Sequence, residues 1–188
     1  MKTHFLKKSV ESLERLSVTA FKSASKIPVV VVLDNVRSLH NIGSVFRTSD
    51  AFSIERLLLC GITATPPHKE LRKTALGATE SVAWEYAATT AEAISALKKE
   101  GFRIIAIEQA ENSVALEAFS PKKDEKYALI FGHEVNGVDQ ELLNQCDSVI
   151  EIAQFRHQTF SKRFGERRCR TMALSHCLRG VAVLQVRP

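Results

Sequence analysis

The chain has 188 residues, 45% hydrophobic and 25% charged, a length and balance that suit one α/β domain with a proper core. Cys60, Cys146, Cys169 and Cys177 show neither a C-x-x-C pair nor a ligand spacing with histidine, the opening ten residues are charged, and no run reaches the roughly 20 apolar residues that span a bilayer. Together these argue against a zinc site, a disulfide framework, a secretory leader and a membrane protein, and lead us to expect a cytoplasmic chain with reduced thiols and no metal. Net charge is +5, but residues 1–155 carry 18 Lys and Arg against 20 Asp and Glu, whereas residues 156–188 carry 8 against 1, so all the excess basicity lies in the tail.

Leu6, Val10, Leu13 and Leu16 recur at helical spacing between Phe5 and Phe21 and predict an amphipathic helix, its stripe packed on the domain or on a second subunit. A polar linker, Ser23 to Pro28, follows, so residues 1–28 read as an N-terminal helical extension and residues 29–188 as the domain. Val29 to Leu33 is an apolar, β-branched run, the mark of a strand buried on both faces. After Asp34 a polar turn carries Asn35, Arg37, His40 and Asn41, and Ile42, Val45, Phe46 and Phe52 then mark a helix. In an open parallel α/β sheet, ligands sit outside the carboxyl ends of strands, where these polar residues collect. A long side chain at Arg47, in the second turn of the helix, leans back over Asn41. A guanidinium, two amides and the helix N-terminal N–H groups are therefore expected to converge on one spot that suits a phosphate.

Leu57 to Cys60 reads as a second strand closing at Gly61. Residues 62–81, with two prolines and a basic cluster at His68, Lys69, Arg72 and Lys73, read as a surface loop before an extended edge segment, Val82 to Tyr86. Trp84 there suits a core or interface position better than a base-stacking one. Ala91 to Glu100 is a helix stopped by Gly101, and Arg103 to Glu108 is a strand. Glu108 stands at its carboxyl end, where a ribose or amino group of a cofactor could be met. A charged turn, Lys122 to Lys126, leads to the strand Ala128 to Phe131, which runs into Gly132-His133-Glu134-Val135-Asn136-Gly137. Two glycines around a Glu allow positive φ and close backbone approach to a ligand. Asp139 then N-caps a helix, and Ser148 to Ile152 is a strand.

Two of these stretches together resemble the motifs of the SPOUT methyltransferase superfamily, and within it the TrmH-like RNA ribose 2'-O-methyltransferases. The first is Asn35 and Arg37 followed by Asn41, Gly43, Arg47, Thr48, Ser49, Asp50 and Ala51, against a family pattern of roughly N-x-G-x-x-x-R-T-A-D-A. Ser49 stands for Ala, and Ser53 stands where Gly is usual. The second is the G-x-E-x-x-G turn with Cys146, Asp147, Ile150, Glu151 and Ile152 downstream. The resemblance implies a knotted SPOUT-type fold, a Rossmann-like parallel sheet closed by a C-terminal trefoil knot, which is a rare exception to unknotted chains. It implies S-adenosylmethionine as cofactor, held by backbone at Gly132, Gly137 and Ile152 with Glu108 on the rim. Asn41, Arg47 and Glu134 would be the catalytic set, and Asn35, Arg37, Lys69 and Arg72 would face the substrate, tRNA or rRNA. A homodimer is also implied. Because guanidinium stays protonated, Arg47 is expected to clamp a phosphate and steady a developing alkoxide rather than act as a base. The alternative is a non-catalytic RNA-binding relative with a damaged cofactor site.

A third family motif, approximately S-L-N-V-S-V-A, should come next, but residues 155–188 read FRHQTFSKRFGERRCRTMALSHCLRGVAVLQVRP. When the last two bases of each codon are read with the first of the next, residues 155–173 can be back-translated as SGTKHSLNVSVSAGVVLW. The final Trp is forced, because Met172 has one codon and alanine codons begin with G. A match to the missing motif that starts where the resemblance stops predicts a reading-frame shift near codon 155. As written, Phe160 and Lys162 stand where the family uses Ser and Asn, which removes one wall of the cofactor site. The rival reading of the tail is a basic RNA-binding extension.

Overall fold

The computed structural model describes residues 16–152, together with His4, Leu6, Lys7 and Ser9. Helix α1 (Val18–Ser23) is short, and its N-cap Ser17 accepts from the Ala20 N–H at 3.2 Å. The helix expected from Phe5 to Phe21 is therefore not continuous. A Ser hydroxyl competes for backbone donors, so Leu16 and Ser17 stay outside the helix, and Leu6 and Leu16 of the expected stripe are exposed.

Strand β1 (Ile27–Asp34) is buried from Val29 through Asp34, as its β-branched run predicts. In chain order there follow α2 (Leu39–Phe52), β2 (Ile54–Cys60), α3 (Lys69–Ala75), α4 (Ala78–Ser81), β3 (Trp84–Ala87) and α5 (Thr90–Lys99). Then come β4 (Phe102–Ile107), β5 (Val114–Ala115), a 3-10 turn at Leu116–Ala118, β6 (Lys126–Phe131), α6 (Gln140–Leu143) and β7 (Ser148–Glu151). All the strand pairs are parallel, in the order β3-β2-β1-β6-β4-β7-β5. The chain winds outward from β1 to β3, then crosses back to build the other half, so the winding reverses between β1 and β6. Period-2 alternation sends Val29, Val31 and Leu33 to the face covered by Ile42 and Phe46 of α2 and by Leu71 of α3. Val30 and Val32 meet Ile94 and Leu97 of α5 on the other face. Both faces are covered, which is why the strand reads as an unbroken apolar run.

Residues 62–81 are more ordered than a surface loop. Leu71 and Ala75, fully buried, seat α3 in the core cluster that also holds the inner face of α2, and Leu71 stands alone between Glu70 and Arg72, which hides the period. The approach of the two helices depends on Gly43, where a Cβ would stand 1.9 Å from Thr74 Oγ1 and 3.0 Å from the Ala75 backbone nitrogen. Alanine is favoured over glycine by about 1 kcal/mol in a helix interior, but overpacking costs about 1–3 kcal/mol, so the steric effect should win. Gly43→Ala is expected to lower the urea midpoint with an unchanged denaturant slope. A raised midpoint would mean that α3 yields easily.

Trp84 packs against the core rather than standing free, and the expected helix N-cap falls at Asp139. No helix among the described residues is long and apolar enough to cross a membrane.

Candidate functional site at the carboxyl edge of the sheet

The carboxyl ends of β1 and β2 are joined by side chains rather than left open. Asn35, in left-handed conformation at φ 53°, accepts on Oδ1 from the Ile62 N–H at 3.2 Å and donates from Nδ2 to Asp34 at 2.9 Å. Gly61 is required opposite it, because a Cβ there would lie 2.1 Å from Asn35 Oδ1. Thr63 Oγ1 donates to the Leu33 carbonyl and accepts from the Val36 N–H, both at 3.0 Å. Asp34 itself is buried and also accepts from Thr90 Oγ1 at the start of α5. Burial pushes its carboxyl above the ordinary range, opposed by the Thr90 and Asn35 hydrogen bonds and by His133, while the charge of Asp139 adds to the rise.

The N-terminus of α2 meets a carboxylate from the other motif. Ser38, the N-cap, accepts from the Asn41 N–H at 3.3 Å. Glu134 Oε2 accepts from the Arg37 N–H at 3.1 Å, and Oε1 accepts from the Ser38 N–H at 2.9 Å and from Asn41 Nδ2 at 3.1 Å. Burial pushes this carboxyl up, but donors from Arg37, Ser38, its own backbone and Asn41 outweigh burial and hold it below the usual Glu range.

This arrangement corrects the expected convergence on a phosphate. The two amides part company, Asn35 to the end of β2 and Asn41 to Glu134, and the N–H groups of Arg37 and Ser38 at the entry to α2 are met by the chain's own carboxylate. Local reading missed this because Glu134 lies 97 residues from Arg37. Arg47 is exposed on α2, and among the described residues nothing hydrogen-bonds or pairs with its guanidinium.

The second motif is a closed turn. His133 and Gly137 exchange backbone hydrogen bonds at 3.0 and 2.9 Å, and a Cβ on Gly132 would stand 2.3 Å from the Gly137 carbonyl. Gly137, at φ 73°, leaves room for Glu108, whose Oε2 would be 2.2 Å from a Cβ there. Glu108 thereby reaches across from the end of β4, accepting from the Val138 N–H at 3.0 Å and from its own neighbour Gln109 at 2.9 Å. Ile152 follows β7, half-buried against the core. Because β1, β6, β4 and β7 are adjacent, Asn41, Glu134, Gly132, Gly137, Glu108 and Ile152 share one edge of the sheet. Lys69 and Arg72 stand on the exposed side of α3, Arg72 within 3.7 Å of Glu80, and share no hydrogen bond with that group. Thr63 and Thr90 were not foreseen; nothing in their local sequence sets them apart from ordinary turn and cap residues.

An open, doubly wound parallel sheet with its polar residues gathered where the winding reverses is the architecture of α/β proteins that bind a ligand at a topological switch point. The chain belongs to the SpoU rRNA methylase family, whose profile matches residues 28–160. It is 29% identical over 136 residues to an uncharacterized tRNA/rRNA methyltransferase of Synechocystis, a match covering 70% of this chain and 33% of that protein. Two crystal structures share the fold. The TrmH/SpoU tRNA modifying enzyme of A. aeolicus gives a TM-score of 0.70 at 21% identity, with 88% of this chain and 78% of that one covered. The AdoMet-bound rRNA methyltransferase of Sinorhizobium meliloti gives 0.69 at 23%, with 82% and 60% covered. The chain spans between about a third and about half the length of the curated relatives it matches. The SPOUT-type parallel α/β fold is thus as the motifs implied, while the knot and the third motif fall on residues outside those described.

Proposed function

We propose that this chain transfers a methyl group from S-adenosylmethionine to a ribose 2'-oxygen of tRNA or rRNA, as a cytoplasmic homodimer. The observation that carries the reading is the Glu134 bridge, which binds the Asn41 helix start to the glycine turn at the point where the winding reverses. The cofactor, when bound, supplies an electrophilic sulfonium methyl. The residues present fit it: backbone at Gly132 and Gly137, where no side chain has room, backbone at Ile152 behind β7, and the Glu108 carboxylate, which can accept from an amino or hydroxyl group. Arg47 then clamps the phosphate beside the target ribose and stabilises the 2'-oxygen as its proton passes to solvent water and the oxygen takes the methyl. Glu134, held below its usual range with both oxygens engaged, is a positioning residue and not the base. Arg37, Lys69 and Arg72 present exposed cations to the RNA backbone, whereas the Asn35 side chain is satisfied within the protein.

The family match ends at residue 160, close behind codon 155, which supports the frame-shift reading of the tail. The test is transfer of labelled methyl from the cofactor into bulk RNA, with digestion to nucleosides and with the intact mass of the protein determined first. Label in 2'-O-methylnucleosides supports the proposal, and label confined to bases removes ribose specificity. RNA bound and protected without label would favour the non-catalytic relative with a damaged cofactor site, in which case the mass should match the tail as written.

A further inference from the structure

His133 lies inside the glycine turn, yet neither the proposed cofactor contacts nor the Glu134 bridge uses its ring. Nδ1 accepts from the Val135 N–H at 3.1 Å and from the Asn136 N–H at 3.3 Å. A nitrogen that accepts must carry its lone pair, so the geometry assigns the ring as neutral with its proton on Nε2. We propose that His133 is a positioning residue whose neutral imidazole holds the Glu134-bearing turn in shape, so that protonation of the ring loosens the site.

Among the described residues the turn has four ties: the backbone pair between His133 and Gly137, the Glu108 bond to Val138, the Glu134 bridge to the start of α2, and the imidazole cap. The first two lie at its base. Among the described residues only the cap reaches the N–H groups of Val135 and Asn136, both exposed, which follow Glu134 directly. A proton on Nδ1 replaces the acceptor by a donor facing two other donors, and both bonds are lost. The charged groups that the fold brings to this end of the sheet are Asp34 at the end of β1, which feels the charges of both His133 and Asp139, Glu134 beside His133 in the chain, and Glu108 at the base of the turn. All four are carboxylates, so an imidazolium released from the cap has a counter-charge to turn toward. Glu134 meanwhile loses the support that aims it at Arg37, Ser38 and Asn41.

The link to turnover rests on the methyltransferase reading, but the structural test does not. In the full-length chain, amide exchange protection at Val135 and Asn136, corrected for intrinsic rates, should be about tenfold lower at about pH 5 than at about pH 8. His133→Asn, which keeps an uncharged side-chain acceptor, should hold its protection flat across the range, and His133→Leu should be poorly protected throughout. A flat wild-type profile, or a parallel fall in His133→Asn, overturns the proposal. This readout needs neither cofactor nor RNA, so a chain that never methylates still tests it. If methylation is found, the acid limb of kcat should disappear in His133→Asn, and an unchanged limb would break the link to turnover.

Discussion

Arg47→Ala is expected to lower methyl transfer by about two to three orders of magnitude while leaving S-adenosylmethionine affinity within about twofold. The guanidinium is exposed on α2 and without a partner among the described residues, so its removal breaks no hydrogen bond or ion pair among them. The residues proposed to hold the cofactor lie at the ends of β4, β6 and β7, and none of them bonds to Arg47. A guanidinium that bonds to none of the described residues is expected to act mainly on the reacting RNA, and loss should therefore appear in turnover. Arg47→Lys should recover only part of it, because an ammonium cannot match the two-pronged geometry of a phosphate. Single-turnover methylation at saturating RNA, alongside calorimetric cofactor binding, separates these effects. Full turnover in Arg47→Ala would remove this residue from the mechanism.

The second large effect concerns stability as well as activity. Glu134→Ala strands the N–H groups of Arg37 and Ser38 and the Asn41 amide, three donors that now share one carboxylate. Unpaired donors cost about 1–3 kcal/mol each when kept from water, but this region is only half-buried, so a total of about 2–3 kcal/mol is expected. Because the folded carboxyl lies below its usual range, its contribution is complete above the unfolded value of about 4.3 and disappears as pH falls through the folded value. The difference in unfolding free energy between wild type and Glu134→Ala should accordingly be constant near neutrality and shrink in acid. A difference that grows in acid would mean that the carboxylate is not held by these donors.

Much of this was legible in the chain. The four valines of β1, the helix spacing from Ile42 to Phe52 and the glycines around Glu134 each impose a local geometry, and they gave the parallel sheet and both turns in their correct places. What could not be read was partnership. Asn35 and Asn41 look alike in sequence, yet one belongs to the end of β2 and the other to a carboxylate from the far half of the fold. Gly61 and Gly137 read as turn residues, although each also makes room for a side chain, Asn35 in one case and Glu108 in the other. Helices α3 and α4 escaped notice because seven- and four-residue helices are too short to show a period.

The 97-residue separation across the Glu134 bridge also bears on how the protein reaches its working state. Strand β6 lies between β1 and β4, so the sheet has a gap at its centre until the chain has been made as far as Phe131. On the ribosome, α2 is complete long before its carboxylate arrives, and its first donors must be served by water in the meantime. Closing so long a loop before contacts repay the entropy is slow, so site assembly should come late in folding. A nascent chain released early would hold one half of the bridge, with an uncovered strand edge on β1 and a tendency to pair with another chain.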